Sequence, residues 1–96
     1  MRLDPQQQAF IKHTIAAHFG ARAQVRLFGS RLDNAKRGGD VDLYVEPEDR
    51  KNLFDRRVHC LGELVEGLPY PVDLVVAEPD APRPIDRVAL KNGVIL

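Results

Sequence analysis

Two hydrophobic periods alternate along this 96-residue chain, and their order restricts the fold more than any other property of the sequence. Phe10, Ile11, Thr14, Ile15, His18 and Phe19 recur at three- and four-residue spacing, which marks one face of a helix. Asp4-Pro5-Gln6-Gln7, just ahead of them, supplies an N-cap acid, a proline for the first helical position and a capping-box glutamine. A helix from Pro5 to about Phe19 is expected, with Gly20 as its stop. The period then changes to two. Gln24-Val25-Arg26-Leu27-Phe28 and Val41-Asp42-Leu43-Tyr44-Val45 read as strands. In the second, Val41, Leu43 and Val45 face one side and Asp42 and Tyr44 the other. Between them, residues 31–39 are polar and glycine-containing and read as a loop.

Helical spacing returns with Leu53, Phe54, Val58, Leu61, Leu64, Val65 and Leu68, which predicts a long amphipathic helix ended by Pro69-Tyr70-Pro71. The acids of Glu46-Pro47-Glu48-Asp49 suit the N-terminal end of that helix. Val72-Asp73-Leu74-Val75-Val76 is a third strand, apolar except for Asp73. Ile85, Val88 and Ala89 line a short last helix that Asn92-Gly93 can end, and Val94-Ile95-Leu96 is too short to classify. The order of elements implies an α/β or α+β fold, a sheet with helices packed on it.

With 44% hydrophobic and 29% charged residues, the chain has the make-up of one globular domain over residues 1–96. Fourteen Lys and Arg balance fourteen Asp and Glu, so no bulk field draws it to nucleic acid or to an anionic membrane. Cys60 is the single cysteine; it excludes an internal disulfide, and with three scattered histidines it falls short of a zinc set. MRLDPQQQAF has no apolar leader core, and no run approaches the ~20 apolar residues of a membrane span. A cytoplasmic protein is expected.

Three features point to chemistry: Gly29-Ser30 at a strand end, Asp40-Val41-Asp42 opening the next strand, and Asp73 in the third. Asp40 and Asp42, two apart in an extended chain, project from the same face, where like charges are unfavourable unless a cation sits between them. Mg²⁺ is the hard divalent ion that takes one or two protein carboxylates and fills its remaining positions with phosphate oxygens and water. Gly29 lets backbone approach a ligand closely, and Ser30 offers a hydroxyl and an N–H to phosphate oxygens. If the third strand neighbours the second with the same face forward, Asp73 completes a triad. It would bind a second metal ion and draw the proton from an attacking hydroxyl, so that the nucleophile strikes the α-phosphorus and pyrophosphate leaves. Tyr44 shares the Asp42 face and is read as packing.

The run Gly29-Ser30, nine residues, Asp40-Val41-Asp42, and then Asp73 within Val72-Asp73-Leu74-Val75-Val76 resembles the nucleotidyltransferases of the DNA polymerase β superfamily. It is most similar to the minimal nucleotidyltransferases encoded beside HEPN-domain proteins, the MntA type of antitoxin. The likeness covers nearly the whole chain, including the closing pattern Ile85, Ala89-Leu90, Gly93-Val94-Ile95-Leu96. It implies a nucleotidyltransferase fold with a small mixed sheet, and metal-dependent transfer of a nucleoside monophosphate, usually AMP from ATP, to a hydroxyl. In the antitoxin branch that hydroxyl is a tyrosine of a partner HEPN ribonuclease toxin, held in a hetero-oligomer. Asp40, Asp42 and Asp73 are then the metal-binding and catalytic residues, and Gly29, Ser30 and Arg31 the nucleotide-binding ones, Arg31 matching a frequent family choice after the serine. The rival reading is an antitoxin that masks its toxin by binding, with the carboxylates inherited rather than used.

Overall fold

The computed structural model describes residues 3–29 and 40–96. Helix α1 spans Pro5–Phe19, strand β1 Gln24–Phe28, strand β2 Val41–Glu46, helix α2 Leu53–Gly67, strand β3 Val72–Val76, helix α3 Pro84–Asn92 and strand β4 Val94–Ile95. This is an α+β fold compatible with that of nucleotidyltransferases.

The start of α1 follows from its cap. The Gln7 N–H donates to Asp4 Oδ1 at 2.7 Å and the Asp4 N–H donates to Gln7 Oε1 at 3.2 Å, which satisfies two donors that the first turn leaves without helical partners. At the other end the Gly20 N–H closes on the Ala16 carbonyl at 3.0 Å, with Gly20 at φ +104°. That left-handed backbone releases the chain toward β1 without a Cβ penalty.

The four strands lie in the order β3-β2-β1-β4. β1 pairs antiparallel with both β2 and β4, and β2 pairs parallel with β3 across the α2 crossover. The three terminal residues too short to read from sequence thus include a real edge strand, with Leu27 opposite Val94 and Arg26 opposite Ile95.

Alternation divides the sheet into two faces. Val25, Leu27, Val41, Leu43, Val45 and Leu74 are buried on one face against Ile11, Ile15 and Phe19 of α1 and Cys60 and Leu64 of α2. The opposite face carries a smaller cluster in which Phe28, Tyr44 and Ala77 meet Ala89 of α3. Arg56 ties α1 to the start of α2: its Nε donates to the His18 carbonyl at 2.6 Å, its Nη1 to Asp49 Oδ1 at 2.9 Å, and its guanidinium lies 5.5 Å from the centre of the Phe19 ring.

Two expectations about helix faces need correction. Phe54, Val58 and Val65 are exposed, and the core side of α2 is buried Cys60 and Leu64 with partly buried Leu53 and Leu61, continued by buried Leu68 at the C-cap, with Arg57 beside it. Stepping about 100° per residue, the apolar positions spread over roughly 160° of the helix, wider than one sheet face can cover, and the half centred on Leu64 takes the core. Of the acids read as a turn ahead of α2, Glu46 closes β2 while Glu48 and Asp49 lie in the β2–α2 turn, where Asp49 accepts from the Lys51 N–H and pairs with Arg56. Val88 is also exposed, because α3 turns Asp86 and Ala89 inward instead. Among the described residues no helix is long and apolar enough to cross a membrane.

Candidate functional site

The parallel register of β2 and β3 sets the geometry. Asp42 lies directly opposite Asp73, Leu43 opposite Leu74 and Tyr44 opposite Val75. Residues opposite each other in a sheet share a face, so both carboxylates project from the α3 side, away from the large core. Asp40 precedes β2 and is exposed. The Asp42 carboxyl is raised above its ordinary range, first by burial and then by the negative charges of Asp73 and Asp40. Asp73, distant in sequence, therefore joins Asp40 and Asp42 at one end of the sheet, and each of these two neighbours makes the ionisation of Asp42 costlier.

Gly29 meets the same point from β1. Phe28 is the register partner of Asp42, and Gly29 follows at φ +81°. A Cβ built there would overlap the Asp42 carboxylate, so the position demands glycine twice over, for its backbone conformation and for its contact. Ser30 and Arg31, the other two expected nucleotide-binding residues, lie outside the described residues, as do Lys36, Arg37 and Gly39.

The donor set suits a hard cation. Carboxylate oxygens are the ligands Mg²⁺ prefers, and a cation beside Asp42 would relieve the crowding that raises its pKa. Asp40, Asp42 and Asp73 are the groups that could hold it. Among the described residues no three His, Cys, Asp or Glu side chains already converge as a metal-ligating cluster, so closing a coordination shell requires carboxylate rotation or oxygen atoms from a bound ligand.

A residue that sequence reasoning missed underlies the site. Asp86, only 2% exposed, accepts five hydrogen bonds. Its Oδ1 takes the Tyr44 hydroxyl at 2.7 Å, the Glu78 N–H at 3.1 Å and Arg83 Nη2 at 3.2 Å. Its Oδ2 takes the Arg83 N–H at 2.7 Å and Arg83 Nε at 2.9 Å. The Arg83 bonds lead in holding its carboxyl well below the usual carboxylate range. Burial, followed by the bond to Asp86, pushes the Tyr44 hydroxyl up to about 12. Tyr44 stands two residues beyond Asp42 on the same face of β2, so this network fastens α3 beneath the acidic end. Its sequence signal was available: Asp86 occupies the third position of a helix that begins with proline, where an acid bonds back to the N-cap N–H.

Cys60 is fully buried within α2, and burial pushes its thiol up to about 12. That excludes it from nucleophilic work near neutral pH.

Fold and residues together define a small α+β protein in which carboxylates gather beside a glycine turn at one end of the sheet, a donor set that suits a hard cation. The profile of the nucleotidyltransferase domain matches residues 11–96. The chain belongs to this nucleotidyltransferase family, within the polymerase β superfamily. Its general reaction is nucleotidyl transfer, and family members usually use a nucleoside triphosphate with a divalent metal. No curated protein matches the chain as a relative.

Proposed function

We propose that this protein transfers AMP from ATP to a hydroxyl of a partner protein, and that the partner is a HEPN ribonuclease toxin that the transfer silences. The observation that supports this reading above the rest is the direct opposition of Asp42 and Asp73 with Gly29 seated on Asp42.

Asp40 and Asp42 are the residues that would hold a divalent ion, whose charge would favour binding of the triphosphate. A metal ion bound there would neutralise phosphate charge and make the acceptor hydroxyl more acidic. Gly29, having no side chain, leaves room beside Asp42 for the phosphates, and the sequence pattern gives Ser30 and Arg31 the role of nucleotide-binding residues. Asp73 accepts the hydroxyl proton while the acceptor oxygen forms its bond to the α-phosphorus. The bond from that phosphorus to the β-phosphate bridging oxygen breaks, and pyrophosphate carries the electron pair away. Because strand pairing rather than a loop fixes the backbone at Asp42 and Asp73, only their side chains need ordering when substrate arrives.

Incubation with the protein of an adjacent reading frame, ATP labelled on its α-phosphate and Mg²⁺ tests the proposal. Label should appear on a tyrosine of the partner and disappear with Asp73→Asn. Neutralisation of the toxin that persists in Asp42→Asn, with no label on the partner, would instead mark an antitoxin that acts by masking.

A further inference from the structure

β3 is an edge strand, and its outer side opens on a groove of about 380 Å³ that reaches Asp73 from the flank away from β2. The Val41 N–H donates to the Pro71 carbonyl and the Ala77 N–H to the Val45 carbonyl, so the odd-numbered residues of this stretch serve the β2 ladder. The main-chain groups of Val72, Leu74 and Val76 therefore point into the groove. Two arginines have taken the carbonyls there: Arg57 Nε donates to the Leu74 carbonyl at 2.8 Å and Arg83 Nη2 to that of Val76 at 2.7 Å. Arg83 is also committed to Asp86. Arg57 is different: it is half-buried and held by Nε, and among the described residues no carboxylate pairs with it. Phe54, 76% exposed, stands on the same rim.

We propose that this groove is the acceptor channel, and that it receives an extended peptide segment of a partner protein carrying the target hydroxyl and a nearby carboxylate. The inference rests on the transfer reaction proposed above and names what selects its substrate. An added strand draws on the outward N–H groups of β3, the mode by which open sheet edges capture peptides. Side chains alternate along such a segment. The residue opposite Asp73 offers its hydroxyl on the Asp42 side of the sheet, and residues an odd number of positions away lie on the α2 side, where Arg57 meets an acidic one. The arginine fork, with Nε already occupied, presents its terminal nitrogens as an anion site. Phe54 covers an apolar neighbour. Charge favours this occupant: the groove's one cation without a carboxylate partner among the described residues lies beside its acidic attacking point, which matches a substrate bearing an acid next to a neutral hydroxyl.

The test uses a ten-residue fluorescent peptide with one tyrosine flanked by glutamates, its glutamine counterpart and its lysine counterpart. Direct binding is read by anisotropy, and transfer by label from ATP. The glutamate peptide should bind wild type about tenfold more tightly than the glutamine peptide, the effect of one charge-assisted hydrogen bond. Arg57→Gln should erase that preference while leaving KM for ATP within about twofold, and Arg57→Glu should shift it to the lysine peptide, which also shows that the variant is folded. Equal binding of the glutamate and glutamine peptides overturns the inference, as does a preference that survives Arg57→Gln or binding of an RNA oligomer in place of either peptide. Charge-selective binding without any transfer of label would sink the adenylylation reading and leave the channel standing. Transfer without the Arg57-dependent preference would do the reverse.

Discussion

Replacing Asp86 by asparagine keeps the shape of the side chain and removes its charge. Of its two oxygens, one serves the Tyr44 hydroxyl, the Glu78 N–H and Arg83 Nη2, and the other serves the Arg83 N–H and Nε. An amide can keep only one of these sets, since its nitrogen faces donors on the other side. The favoured orientation retains the Oδ1 set with the buried Tyr44 bond and gives up the Arg83 N–H and Nε, on a residue whose side chain is half-exposed and can be rehydrated. Two bonds to a charged acceptor are lost at about 1.5–3 kcal/mol each, and hydration of Arg83 recovers part, so the net cost should be about 2–4 kcal/mol. Against the 5–15 kcal/mol typical of a small protein this is a large loss, lowering Tm by roughly 10–20 °C. Tyr44→Phe removes one donor and should cost about 1 kcal/mol, less again when Asp86 is already asparagine, because the two share one network.

Urea denaturation read by circular dichroism measures each term. The pH dependence gives an independent check. Asp86 has a depressed folded pKa, so its stabilisation is complete above the unfolded value of about 4 and is lost as pH falls through the folded one. The gap between wild type and Asp86→Asn should therefore narrow below about pH 4. A variant within about 0.5 kcal/mol of wild type at pH 7, or a gap that stays constant down to pH 3, refutes the reasoning.

Asp42→Asn should leave the metal-free protein as stable as wild type or more stable by up to about 1 kcal/mol, because it removes one of two like charges set opposite each other. Millimolar Mg²⁺ or Mn²⁺ should raise Tm of wild type and not of this variant; an equal rise in both would place the ion elsewhere. Gly29→Ala forces a Cβ into the Asp42 carboxylate at positive φ, and should cost about 1–2 kcal/mol with at least a tenfold loss of label transfer in the ATP assay; normal transfer would mean that the approach to Asp42 is not needed. Above about pH 10 stability should fall, because the Tyr44 hydroxyl ionises in the unfolded chain before it does so at about 12 in the folded one, and Tyr44→Phe should flatten that fall in pH-jump denaturation curves. Cys60 should resist aromatic disulfide reagents at pH 8 in the native protein and react fully in urea; prompt native labelling would contradict its burial.

The elements whose signal is local were legible in the sequence. The capping box at Asp4 and Gln7 set the first residue of α1, and the two alternating runs and the apolar run around Asp73 became β1, β2 and β3 with bounds that differ only by the addition of Glu46. What needed the third dimension was choice among equals. Nothing local ranks Leu53 over Phe54, since both fit a helical stripe, and only the width of the sheet decides. Asp86 was hidden by the same limit: an acid near a helix start usually faces water, and its burial follows from Tyr44, more than forty residues earlier. For the candidate site, the side-by-side placement of Asp42 and Asp73 was conditional on strand order, and the parallel pairing meets that condition. Ser30 and Arg31 fall outside the described residues, so their part in the expected site stands on sequence alone.

Strand β2 answers to two masters. Its odd positions plug the large core while Asp42 and Tyr44, on the even ones, face the acids and the α3 network. A single residue gained or lost between 41 and 46 would exchange these duties, dropping carboxylate into oil and valine into water. Length changes that spare both the core and the acidic end must therefore fall outside this strand, in the connections on either side of it.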